Sequence, residues 1–177
     1  MEFNNILQNR RSIRNFDTDR PVTKEQIEEL IKYAIYAPSW KNSQTARYYC
    51  AVDGEGRETL SNCLLGTNKE KSAGAALIVT TFIKDRAGFD REGNPDNECK
   101  NGWGFYDLGL ANENLLLKAT EMGLGTLVMG IRDGDALRKV LSIPENQIVV
   151  SVIAVGYPAE APQMPKRKTV DDVTTWI

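Results

Sequence analysis

Apolar residues spaced three and four apart, Ile27, Leu30, Ile31, Ala34 and Ile35, mark one face of an amphipathic helix. Thr23 and Gln26 form a T-x-x-Q capping box at its start, and Pro38 stops it. Upstream, a short helix over residues 3–9 runs into Arg10-Arg11-Ser12-Ile13-Arg14, a basic stretch without helical period. Residues 75–83 (AALIVTTFI) and 148–155 (IVVSVIAV) are apolar or β-branched nearly throughout, which predicts strands buried on both faces. An aromatic-rich strand over 47–52 and short helices over 57–65 and 133–141 complete the regular elements, the last ended by Pro144. Residues 84–102 are polar and Gly-rich, and read as an irregular loop or lid.

From residue 103 to 122 the pattern is helical and apolar nearly all round. Leu108, Ala111, Leu115, Ala119 and Met122 form the main stripe, with Leu110, Leu116 and Leu117 beside it. Such a helix is buried in the centre of the fold or in an obligate dimer interface. Gly123 suits the position just past its end. The tail closes on an amphipathic piece ending in Trp176 and Ile177. Strands separated by helices leave α/β and α+β both open.

At 177 residues, with no linker-like composition, the chain reads as a single domain, 1–177. Lys plus Arg number 22 against 24 Asp plus Glu, a formal charge of −2, so neither nucleic acid nor an anionic membrane is an expected partner. Three scattered cysteines and no long apolar run predict a cytoplasmic chain without disulfides or spanning segments. The absence of histidine removes the common triads and His-ligated metal centres. No metal is expected, and an enzyme of this composition would rely on a bound cofactor.

Three polar clusters stand out. In Arg10-Arg11-Ser12-x-Arg14, alternate residues of an extended segment could present two guanidiniums and a hydroxyl to one phosphate; the run also fits a solvated basic turn. Residues 38–44, with Pro38, Ser39, Trp40, Asn42 and Gln44, offer amides and hydroxyls suited to a heterocycle edge or ribityl chain, or make an ordinary turn. Lys166, Arg167 and Lys168 form a basic triplet near the end. Beside these stand the Asn68–Lys71 pair and the glycines of residues 123–130, which allow backbone to approach a flat ligand. The latter do not make the dinucleotide-binding G-x-G-x-x-G.

Taken in order, RRSIRNF from Arg10, APSWKNSQ from Ala37, Asn68-x-x-Lys71, DLGLANENLLLKATEMGLGT from Asp107 and PKRK from Pro165 resemble the nitroreductase family along essentially the whole chain. The resemblance implies a three-layer α+β fold, its central sheet mainly antiparallel and flanked by helices, forming a homodimer with FMN between subunits. Arg10, Ser12 and Arg167 would meet the phosphate and ribityl chain, with Arg11, Lys166 and Lys168 adding charge. Arg14, Lys71 and Asn68 would meet the pyrimidine edge. Pro38, Ser39 and Asn42 would arrive from the partner subunit with Trp40 and Gln44 in the same turn, and the backbone at Met129 and Gly130 would face the central ring.

The implied activity is ping-pong hydride transfer from NADH or NADPH through FMN to nitroaromatics, quinones or similar conjugated acceptors. The same scaffold also serves flavin fragmentation, dehalogenation and azoline oxidation, and a flavin-binding or storage module without turnover is the reading from another class. Ala46 stands where an aromatic is common in the family, and the tail has Pro165-Lys166-Arg167 in place of the usual Lys-x-Arg. Trp40, Phe89 and Phe105 are the candidate walls over the flavin.

Overall fold

A computed structural model describes residues 2–177. Its centre is β2 (Ala76–Ile83), whose side chains alternate between two cores on opposite faces of a sheet. Leu77 and Val79 enter one core, and Ala76 and Ile78 enter the other. The sheet has four strands in the order β1-β2-β4-β3, with β1 (Ala46–Ala51), β3 (Gly125–Met129) and β4 (Gln147–Gly156), every neighbouring pair antiparallel. The two inner strands are the two that read as doubly buried in the sequence, because each is covered by helices on both sides.

On one face lie α2 (Lys24–Ala34) and α5 (Gly102–Glu121), supplying Ile27, Leu30, Leu115 and Ala119. On the other lie α3 (Gly54–Ser61) and α6 (Gly134–Val140), supplying Leu60 and Leu137. The fold is therefore a three-layer α+β sandwich, which resolves the choice left by the pattern of elements. Two short helices, α1 (Phe3–Asn9) and α4 (Asn68–Lys71), sit at its margins. Among the described residues no helix is long and apolar enough to cross a membrane.

Local signals explain most boundaries. The Thr23–Gln26 capping box is present in both directions, Asp133 caps α6 through the Ala136 N–H, and Gly123 takes φ 75 just after α5. α5 lies close to the sheet because Gly104 has no side chain, and a Cβ there would run into the Phe82 ring.

Several expectations are corrected. Residues 125–129, read only as a glycine-rich approach, form an edge strand, since glycines at 123, 125 and 130 mask an apolar run too short to stand out. The helix expected over 57–65 begins three residues earlier, and α2 ends at Ala34, well before Pro38. Ile35 is consequently 63 % exposed, outside the stripe. The closing piece has no helix or strand, and Trp176 is 83 % exposed.

Candidate functional site

β3 is an edge strand, and two of the polar groups picked out in the sequence, residues 10–14 and the Asn68–Lys71 pair, are tied along it. On its outer side Ser12 makes a parallel bridge to Thr126, and the Ile13 N–H donates to the Thr126 carbonyl at 2.9 Å. Residues 10–14 are thus extended, and the alternation sorts them. Ile13 enters the core, while Arg14 is exposed and donates from Nη1 to the Ser12 carbonyl at 3.2 Å. The Arg10 guanidinium lies 3.9 Å from the Glu113 carboxylate of α5. Arg11 goes with Ile13 instead, lining a hollow against Thr120, Gly123 and Pro158.

Glycine at 125 permits this approach, since a Cβ there would fall 2.6 Å from Ile13 Cγ1. Gly125→Ala is expected to cost about 1–3 kcal/mol by overpacking and to push residues 10–14 off the strand. An unchanged denaturation midpoint, with the Ile13 amide still protected from exchange, would contradict this.

At the far end of β3 the Ile131 carbonyl accepts from Asn68 Nδ2 at 2.9 Å and from the Leu65 N–H at 3.3 Å, which ties α4 to the strand. Lys71 ends α4, half-buried and without an ion pair among the described residues. Between these ties the Met129 side chain is in the core, Val128 and Ile131 are exposed, and a Cβ on Gly130 would meet nothing within 4 Å. One strand edge therefore carries an open apolar strip, with Ser12 and Arg14 towards one end and Asn68 and Lys71 towards the other. Such a strip suits a flat ring with a polar edge and an anionic substituent.

The turn at 38–44 lies elsewhere, beside the first part of α5. The Trp40 N–H donates to Asp107 Oδ2 at 2.9 Å. The Trp40 ring packs on Trp103 with centroids 4.3 Å apart, and its indole Nε1–H donates to Asp96 at 3.2 Å. Lys41 Nζ reaches the same Asp96 carboxylate at 2.7 Å, and the Gln44 N–H donates to Ser39 Oγ at 3.0 Å. These ties hold a costly backbone. Lys41, Asn42 and Gln44 have φ 46, 54 and 48, a left-handed conformation that costs side-chain-bearing residues about 1 kcal/mol each.

Asp107 is 5 % exposed and makes no ion pair among the described residues. Burial pushes its carboxyl above the ordinary range, and the Trp40 N–H opposes that shift. With the folded value above the unfolded one, stability contributed at low pH is lost as pH rises through the folded value, so the ionised form is a net cost. Neither Asp107, which opens the DLGLANEN segment, nor Asp96 is among the site residues expected from the sequence. The available signal for Asp107 was a carboxylate four residues before Ala111, on the buried stripe.

One chain does not bring these groups together. α5 rises 1.5 Å per residue, so Asp107 beside the turn and Thr120 beside Arg11 are roughly 20 Å apart. Trp40 and Phe89 line a common hollow of about 690 Å³ with Arg86 and Arg91, whereas Phe105 packs edge-on against Phe82 at 4.8 Å. Lys166, Arg167 and Lys168 are exposed on the tail and make no side-chain bond among the described residues.

The family model described as the nitroreductase family matches residues 7–157. A protein of Archaeoglobus fulgidus, named NADH dehydrogenase/NAD(P)H nitroreductase, is 32% identical over 160 residues, covering 88% of this chain and 84% of its own length. A nitroreductase family protein of Streptococcus pneumoniae superposes with a TM-score of 0.86 at 22% identity, covering 99% of this chain and 100% of its own. A nitroreductase of Exiguobacterium sibiricum solved in complex with FMN gives a TM-score of 0.80 at 22% identity, over 100% of this chain and 98% of its own. With a matching model across most of its length, a relative above 30% identity and the same three-layer arrangement, the chain belongs to the nitroreductase family.

Proposed function

We propose that the chain is an FMN-dependent oxidoreductase that takes hydride from NADH or NADPH and passes it to nitroaromatics, quinones or similar conjugated acceptors. The observation that carries this reading is the open strip on β3, with Ser12 bridged at one end and Asn68 tied at the other. The residues fit the group, and the Exiguobacterium neighbour is named as an FMN complex. Arg10 and Ser12, with Arg167 of the tail, would hold the phosphate and ribityl chain. Asn68, Lys71 and Arg14 would hold the pyrimidine edge, and Met129 and Gly130 would lie under the ring.

FMN supplies the hydride-accepting atom when bound, so no protein base is required, in keeping with a chain that has no histidine. Lys71 and Arg14 would place positive charge near the pyrimidine edge of bound FMN and so would favour its reduction. The two substrates take turns at one open face, giving ping-pong kinetics.

The site is completed by a second copy of the chain. Pro38, Ser39 and Asn42 lie along α5 from Arg11, as expected if the partner's turn closes the first subunit's strip. The pairing face we assign is largely apolar: Phe3, Tyr36 and Leu117 line a hollow between α1, α2 and α5 that Asn114, Lys118 and Glu121 also line, and Tyr36 is 67 % exposed. Three free cysteines fit work in a reducing cytoplasm.

The test is the visible spectrum of the purified protein, followed anaerobically after NADH and then NADPH. A flavin spectrum that bleaches within turnover time and returns on adding a quinone or nitroaromatic is the expected result. A flavin spectrum that stays yellow would favour a binding module, for which the clamped Trp40 is the specific cause to examine. A colourless protein that cannot be reconstituted with FMN would overturn the reading.

A further inference from the structure

The carboxylate of Asp107 is expensive where it sits. It is buried, makes no ion pair among the described residues, and accepts a hydrogen bond from a single N–H, that of Trp40. A leucine there would continue the apolar stripe of α5 without the cost of burying charge. What Asp107 touches is the one segment among the described residues where three side-chain-bearing residues take left-handed backbone within four positions. Its surroundings mix apolar side chains with hydroxyls. Thr45, 2 % exposed, and Tyr48 line the same hollow of about 140 Å³ as Asp107 and Ser39, and neither hydroxyl finds a protein partner among the described residues.

Charged and titratable groups reach this region from each side. Arg47 of β1 lines the hollow but gives its guanidinium to the Gln44 and Ala46 carbonyls. Asp96 of the 84–102 segment takes the Trp40 indole and Lys41. Arg47 thus holds the main chain where the turn ends, at Gln44, and Asp107 holds it where the turn begins, at the Trp40 N–H; a grip on backbone fixes direction regardless of the side chain carried.

We propose that Asp107 is a positioning residue, which holds the 39–44 turn in its left-handed conformation and so sets the direction in which Ser39 and Asn42 are presented. The functional half of this rests on the FMN reading above; the conformational half does not. Asp107 touches neither flavin nor substrate, and acts through the Trp40 amide. Asparagine retains the acceptor oxygen and keeps the turn. Leucine retains the size, removes the acceptor and releases it.

The experiment compares Asp107→Asn and Asp107→Leu with the natural chain. The first readout is the far-ultraviolet exciton couplet expected from the Trp40–Trp103 pair, and the second is FMN retention by equilibrium dialysis. The couplet and FMN affinity are expected to survive in the asparagine variant. In the leucine variant the couplet is expected to be lost and FMN affinity to fall about tenfold, the equivalent of one charge-assisted hydrogen bond. The infrared amide I band, which reports secondary structure without the indole couplet, should be unchanged in both. A leucine variant that keeps both couplet and affinity overturns the proposal.

Should the leucine variant not fold, amide exchange in the natural protein decides the matter. Trp40 N–H protected at least about tenfold within an irregular turn is expected, and an unprotected Trp40 amide overturns the proposal. If the chain binds no FMN, the oxidoreductase reading fails by itself, while the couplet and the exchange still judge Asp107.

Discussion

Replacing Lys71 with alanine is expected to slow reduction of the bound flavin by NADH or NADPH about a hundredfold, the usual scale for removing one prearranged donor from developing negative charge. The expectation rests on where the lysine sits. α4 is a four-residue helix held to the end of β3 by Asn68, so its last residue is fixed by a tie to the strand. Lys71 is half-buried and forms no ion pair among the described residues, leaving its ammonium able to pair with a ligand. Arginine at this position should restore much of the rate. Lys69 is the control, being exposed and bonded to Asn62 at 2.6 Å; its alanine variant should reduce flavin normally. Stopped-flow reduction and a potentiometric titration check this, and unchanged rate and potential in Lys71→Ala would show that the charge lies elsewhere.

The second large effect concerns assembly. Leu117 lines the hollow shared by Phe3 and Tyr36, and glutamate there places a charge in the middle of an apolar face. If two copies pair through that face, the expected result is a monomer by sedimentation that has also lost its flavin, because each site lacks the other subunit's turn. Burying one unpaired carboxylate costs several kcal/mol, enough to dissociate an ordinary interface. A Leu117→Glu protein that sediments as the natural one does would place the interface on another surface. A monomer that keeps its flavin would show that one chain suffices for binding.

How much of this was legible in the chain depends on the length scale of each signal. The α2 cap, the two doubly buried strands and the long α5 were readable because each is set by neighbours within a few residues. β3 was not, since five residues that begin on Gly125 and run into Gly130 become a strand only when β4 offers a partner. The basic run at 10–14 was visible as a cluster, but its sorting into Ile13 in the core and Arg14 outside depends on pairing with Thr126, far along the chain. Asp107 was visible only as a carboxylate on the buried stripe of α5; what it holds could not be read, because that group is 67 residues away. The family resemblance supplied roles that no local pattern contained.

The outer edge of β3 also bears on how the protein behaves when crowded. An unpaired strand edge is a template for other chains, and long flat edges are where sheet proteins aggregate. Here residues 10–14 close the edge at Thr126, and the Leu65 and Asn68 bonds close it at Ile131, so only Leu127, Val128, Met129 and Gly130 lie open between them. That span is too short to recruit a foreign strand stably, since strands commonly need about five or six residues. The opening that admits a flat ligand is thereby kept below the length at which it would admit another polypeptide, and loosening either clasp should surface first as loss of solubility.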